Sequence, residues 1–422
     1  MMKYEKMRDS GFEWIGDIPA HWRLLRMKNV FQNISERNHP DAMVLSLYRE
    51  YGVLPKDSRD DNHNVTSEDT GSYKFVRKND LVINKMKAWQ GSLGISQYEG
   101  IISPAYYVCR FKNESVSKRY FHHLLRAKNY AQEFERLSTG MRVGQWDLGI
   151  DDFMRTPAII PPYNEQEAIA AYLDGQVFHI DSIIEDAKGS IEEYKKWKTS
   201  MICDAITKGI NANIPMKESG IAWIGTMPKS WSVRALFQLV TLVKNKNSDL
   251  KETNLLSLSY GRIKRKDINT TDGLLPASFD GYNIIEQNDI VLRLTDLQND
   301  HTSLRVGRAT ERGIITSAYV TIRPMKGVNS EYLYYVLHAF DLKKGLYGMG
   351  AGVRQGLNYN EVKMVKLPYA PSEEQRQIVS YLDAQCEKID SIIAEKEALI
   401  VDLELYKRSI IYEAVTGKRK VV

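Results

Sequence analysis

Cysteine is scarce, with only Cys109, Cys203 and Cys386 in 422 residues. Three residues, widely spaced and odd in number, exclude a disulfide framework and a zinc knuckle, and all three read as small buried hydrophobes. Long apolar runs are lacking too. No stretch approaches the ~20 residues that span a bilayer, and the opening MMKYEKMRDS is too charged for a secretory segment, so a cytoplasmic chain away from membranes is expected. A hydrophobic content of 43% nevertheless supplies material for real cores and sets the chain apart from disordered sequences.

Catalytic patterns are the next absence. IIPPYNEQ, from Ile159, contains the Pro-Pro-Tyr of amino-methyltransferases, but Ile160 stands where an acceptor for the target amine is needed. Pro161 and Pro162 therefore read as a helix start. GMGAGVRQG, from Gly348, has neither the strand-loop-helix setting of a dinucleotide site nor the GK[ST] of a P-loop, and reads as a loop. Asp186-Ala187-Lys188 has a nuclease-like spacing, yet Ala187 belongs to a helical apolar stripe. The eight histidines form no metal spacing, and His122 and His123 read as parts of a helix surface. No catalytic residue, cofactor or metal is assigned.

What is present is a duplication. WIGDIPAHW, from Trp14, returns as WIGTMPKSW, from Trp223. YKFVRKNDLV (from Tyr73) matches YNIIEQNDIV (from Tyr282), GIISPAYYVCR (from Gly100) matches GIITSAYVTIR (from Gly313), and YLDGQVFHIDSII (from Tyr172) matches YLDAQCEKIDSII (from Tyr381). Each half is a module followed by a tail: 1–160 and 161–210, then 211–369 and 370–422.

The tails read as long helices. Leu173, Val177, Ile180, Ile184, Ala187, Ile191, Tyr194, Met201 and Ala205 follow alternating steps of four and three, broken at Lys198. Leu382, Cys386, Ile389, Ile393, Ile400, Leu403, Ile410 and Ala414 do the same, broken at Lys396 and Lys407. The helices open after Pro162 and Pro371 and stop near Gly209 and Gly417. Two matching stripes in one chain most simply form one coiled-coil seam. The modules carry short apolar runs such as DLVIN (from Asp80) and DIVLRL (from Asp289), which read as strands. Helical stretches follow, YFHHLLRAKNYAQEF (from Tyr120) and YLYYVLHAF (from Tyr332). The expected fold is mixed α/β: two α+β domains joined by two antiparallel coiled-coil helices of ~66 Å, related by a pseudo-two-fold axis in a circular organisation. In that arrangement each WIG..P..W phrase docks where one helix ends.

Charge follows the same division. Residues 1–160 hold 24 basic and 20 acidic side chains and 211–370 hold 21 and 14, whereas 161–210 hold 5 and 9 and 371–422 hold 8 and 10. The modules are basic and the tails acidic, so a polyanion would meet the modules. In the first, Lys85, Lys87 and Gln90 follow a strand, and Arg142 and Gln145 stand among glycines. In the second, Arg293 follows the equivalent strand, GRIKRKD offers Arg262, Lys264, Arg265 and Lys266, and GVRQG offers Arg354 and Gln355. Arginine and lysine suit guanine edges and phosphates, and glutamine suits adenine. Double-stranded DNA is the favoured partner, and a two-module protein-binding adaptor without DNA recognition is the alternative.

SGFEWIGDIPAHW and SGIAWIGTMPKSW, the GMRVGQWDL and GVRQGLN stretches, and PPYNEQEAIAAYLD and APSEEQRQIVSYLD with IDSII resemble the specificity subunit of a type I restriction-modification system. That resemblance implies two target recognition domains on helical spacers, each reading half of a bipartite, asymmetric DNA site. It also implies a non-catalytic subunit whose spacers bind two methyltransferase subunits, which restriction/translocase subunits then join.

Overall fold

The computed structural model describes residues 3–421 except 50, 59–69, 114, 141–145, 270–275, 277, 298–299, 301, 348 and 350–355. Two compact units divide the chain, Met1–Ala187 with Glu397–Val422, and Lys188–Lys396. Each unit therefore owns half of each long helix.

The first unit is built on a four-stranded antiparallel sheet in the order Phe31–Ile34, Tyr106–Phe111, Leu81–Asn84, Leu93–Ile95. The second repeats it as Val240–Leu242, Val320–Pro324, Ile290–Leu292, Val306–Arg308. Among the described residues four two-stranded pairs complete each unit, and every one in the first has its equivalent in the second. The repeated Asn-Asp dipeptide explains one shared turn. Asn79 and Asn288 both adopt φ of 75°, a left-handed conformation that asparagine tolerates. The buried carboxylates of Asp80 and Asp289 then accept the turn amides of Arg77 and Glu286. Each also holds an arginine of the neighbouring strand in a two-point pair, Arg110 at 2.9 and 2.8 Å and Arg323 at 2.7 Å twice. Such pairs fix strand register as well as satisfying a buried charge.

A helical layer covers each sheet. In the second unit it is one helix, Ser330–Leu342. In the first, the single helix expected over 120–134 is two, Lys118–Arg126 and Lys128–Leu137, because Ala127 is extended with ψ of 145°. The repeated phrase GIISPAYYVCR falls on two strands, Gly100–Ile102 and Tyr106–Phe111, on either side of Pro104. His123 does not lie on a helix surface as expected. It is buried, with Nε2 2.6 Å from Asp174 Oδ1, and Arg119 reaches the other carboxylate oxygen at 2.6 Å. The His123 contact, followed by Arg119, holds the Asp174 carboxyl down at about 2. Burial pushes the neighbouring His122 down to about 3, which keeps it neutral. Cys109 and Cys203 are buried as expected, and Cys386 is only half-buried.

The long helices run Tyr163–Lys208 and Ser372–Val415. Within the first unit Tyr172 meets Arg419 and Asp181 meets Lys407, so the two segments are antiparallel. Within the second, Tyr194 lies under Lys396 and Lys198 meets Asp390, with the same sense. Ile180, Ile184, Ile410 and Ala414 share the first core, and Met201, Ala205, Leu382 and Ile389 share the second. The interrupting lysines are partnered from across the seam. Lys407 Nζ is 2.5 Å from Asp181 Oδ1, and Lys198 Nζ is 2.6 Å from Asp390 Oδ1. Both aspartates come from the repeated IDSII. An ammonium in an apolar seam is tolerable only with such a counter-charge, and a polar pair at one level opposes sliding of the helices.

The tryptophan phrases sit at the helix ends. Trp22 and Trp231 are almost fully buried, and their indoles donate to Glu165 at 2.9 Å and Glu374 at 2.7 Å, in the first turns of the helices. Burial alone would raise the Glu165 carboxyl, but hydrogen bonds from Trp22, His21 and Tyr4 outweigh it and hold the group below its ordinary value. Gly417 packs on Pro19 and Trp22, while Gly209 packs on Pro228 and Trp231. The first phrase thus docks at the end of the second helix and the second phrase at the end of the first. Lys418 Nζ donates to the carbonyl of Ile15 at 2.9 Å, joining the two ends of the described chain.

Candidate nucleic-acid interface

The segment Lys85–Gln90 leaves the central strand Leu81–Asn84 and tightens into a short 3-10 turn, Ala88–Gln90, ended by Gly91 at φ of 79°. Three bonds fix it. Lys85 Nζ donates to Asp147 at 2.9 Å, which raises the lysine's pKa, Leu148 N donates to the Lys85 carbonyl at 3.0 Å, and the Trp89 indole donates to the Met86 carbonyl at 3.0 Å. Thr139 and Asp147 bridge each other by two backbone bonds of 3.1 and 2.9 Å, and Trp146 lies 5.6 Å from Trp89, ring to ring. The root of the glycine-containing stretch is thereby fastened to the strand-end segment. Arg142 and Gln145 belong to that stretch and lie outside the described residues. Lys87 is exposed, whereas the Gln90 side-chain oxygen accepts from Arg49.

The second module repeats the fastening. Leu357 N donates to the Leu294 carbonyl at 2.8 Å, as Leu148 does to Lys85. Arg293, partly buried, approaches Asp300 at 3.6 Å. Arg354 and Gln355 lie outside the described residues, just before this anchor. The remaining basic set forms a strand, Arg262–Arg265, paired with Leu256–Ser259. Its members are exposed but differently engaged. Arg262 donates to Asp390 on the helix at 3.0 Å, Arg265 grips Glu311, and Lys264 faces solvent. Structure therefore gathers Lys85, Lys87 and Gln90 beside the root of 141–145 and Arg293 beside the root of 351–355. It sets Arg262, Lys264 and Arg265 on a separate hairpin.

The anchoring residues Asp80, Asp147, Asp289 and Arg305 escaped the sequence reading. Asp80 and Asp289 recur inside the repeated phrases, so comparing the copies could have found them. Asp147 and Arg305 have no such signal, since each acts in one module alone.

Two equivalent α/β modules, each fastening a pair of loops and each carried on paired helices, define a duplicated loop-presenting protein. Residues 228–400 match the family described as the type I restriction modification DNA specificity domain. Over 96% of its length the chain is 23% identical to the type I restriction enzyme MjaVIII specificity subunit of Methanocaldococcus jannaschii, covering 94% of that protein. It is 22% identical to the putative type I restriction enzyme MjaX specificity subunit of the same organism, covering 96% of it. Its fold matches a chain of a type I restriction-modification system at a TM-score of 0.69 and 14% identity, covering 94% of this chain and 98% of that one. The HsdS subunit from Thermoanaerobacter tengcongensis matches at 0.53, also at 14% identity, with 95% and 98% covered. Over nearly its whole length the chain is thus similar to specificity subunits of type I restriction-modification systems, and residues 228–400 carry the match to the DNA specificity domain.

Proposed function

We propose that the chain reads a bipartite, asymmetric double-stranded DNA site, one half with each module, and does no chemistry itself. In this reading 1–160 and 211–369 are target recognition domains and 161–210 and 370–422 are spacers. The spacers position two methyltransferase subunits, which restriction/translocase subunits join, in the cytoplasm. The observation that carries the reading is the shared loop root, Leu148 on Lys85 and Leu357 on Leu294, built into two basic modules. One scaffold holds two different sets of side chains, as two different half-sites require. Arginine in such a loop can hold a guanine by two bonds, and lysine can hold a phosphate.

The test is an exchange. Replacing residues 38–145 by those of another specificity subunit should change one half-site, mapped as methylated bases in cells carrying the complete system, and leave the other intact. If both half-sites change together, the modules are not independent readers. If the purified chain binds random duplex without a salt-dependent slope, the protein-binding adaptor takes its place. Methyl transfer or cleavage by the chain alone would contradict its non-catalytic role.

A further inference from the structure

Arg305 is 0% exposed, and its surroundings hold carbonyl oxygens in place of a full counter-ion. Nη1 donates to the carbonyls of Thr295 at 2.7 Å and Arg293 at 3.3 Å, and Nη2 donates to that of Asp296 at 3.0 Å and reaches that of Asp300. Nε donates to the Tyr347 hydroxyl at 2.9 Å, and the same hydroxyl donates to the Asp300 carbonyl at 3.2 Å. Among the described residues the guanidinium comes no closer to a carboxylate than 4.0 Å, at Asp300 Oδ2, while the buried Asp341 carboxylate accepts from the Arg305 backbone amide at 2.7 Å. Burying a guanidinium with this little ionic compensation is costly, so the site is organised around what the group holds. It holds backbone that follows the strand Ile290–Leu292, at the carbonyls of Arg293, Thr295, Asp296 and Asp300.

We infer that Arg305 is a positioning residue for DNA recognition by the second module, aligning Arg293 from inside. This rests on the DNA-reading function proposed above. Four carbonyls after the strand are tied to Arg305, and so is the Tyr347 hydroxyl. Asp300 completes the frame: it accepts from the amides of Thr302 and Ser303, is held well below the usual carboxylate range by the Ser303 bonds, and faces Arg293 at 3.6 Å. The first module has no equivalent, because the position before its strand Leu93–Ile95 is Ser92 and its loop is fastened by Lys85 and Asp147. The two half-sites are thus read through differently braced loops. Only a planar group with five donors can serve this many acceptors at once.

The test uses the full-length chain in complex with its methyltransferase partner, with the target sequence obtained by selection from random duplexes. Arg305→Lys and the milder Tyr347→Phe should each lower discrimination in one half-site by tenfold or more and leave the other half-site within twofold. Circular dichroism and urea unfolding confirm that each variant is folded. Tyr347→Phe removes one hydroxyl and decides the matter if Arg305→Lys fails to fold. Unchanged discrimination in a folded variant, or equal loss in both halves, overturns the positioning role while leaving DNA reading intact. A wild-type complex that selects no sequence overturns DNA reading itself.

Discussion

Gly209 and Gly417 end equivalent helices in the same backbone conformation, φ of 78° and 73°, but against different surroundings. A Cβ on Gly209 would find Trp231 at 3.5 Å and Pro228 at 3.7 Å, ordinary contacts. On Gly417 it would lie 2.2 and 2.4 Å from Pro19 Cδ and Cγ, atoms of a ring fused to the backbone, and 3.2 Å from Trp22. Alanine at either site bears the left-handed conformation, about 1–2 kcal/mol. Only Gly417→Ala adds the overlap, about 1–3 kcal/mol more. A ceiling exists, because the tail can lift away instead and forfeit the Lys418 bond to Ile15 and the Arg419 bonds to Glu413 and Tyr172. Three polar contacts at about 1 kcal/mol each set that ceiling near 3 kcal/mol beyond the conformational cost. Urea unfolding of the two variants beside the parent, followed by tryptophan fluorescence, gives the comparison. Gly417→Ala should lose at least about 1 kcal/mol more than Gly209→Ala. Equal losses would mean that the contact with Pro19 does not constrain the helix end.

Gly175 and Gly189 lie inside the first long helix with nothing within 4 Å of an added Cβ. Alanine at either position should raise stability by about 0.5–1 kcal/mol in the same unfolding assay, and a loss would reveal a packing role for the bare backbone. Asp174 is depressed to about 2, so its contribution is present above the ordinary carboxylate range and is lost as pH falls from about 4 to about 2. With the carboxylate 44% exposed, screening reduces this to about 1 kcal/mol. Asp174→Asn should flatten that part of the stability profile, and a profile that keeps its slope would remove the His123 pair from the acid response.

Much of the fold could be read from the chain because the duplication states each structural rule twice. The helices begin and end beside the prolines and glycines that marked them, and the seam positions Leu173, Ile180, Ile184, Leu382, Ile389 and Ile410 are buried. Errors arose where one copy departs from the other. Ala127 breaks a helix that periodicity alone continues, and His123 is buried because Asp174, 51 residues away, supplies a partner. Periodicity reports which face is apolar, not which polar groups meet across it. The same limit hid the pairing of Lys407 with Asp181 and of Lys198 with Asp390. Half of the candidate interface lay within reach, since basic residues after a strand are visible in one dimension. Its bracing by Asp147 and Arg305 depends on distances that only folding creates.

The division of the helices between units also sets an order of completion during synthesis. Lys188–Lys396 is one continuous stretch, so every group it buries has emerged once residue 396 has. The first unit, although made first, needs Glu397–Val422 to finish its core. Until Ile410, Ala414 and Val415 arrive, Ile180 and Ile184 have no opposite wall, and the Tyr120 hydroxyl lacks the carbonyl of Val415, 3.2 Å away. The earliest-made module therefore waits longest with apolar surface uncovered, and a chain ending at Lys396 would leave the later-made unit whole and the earlier one open.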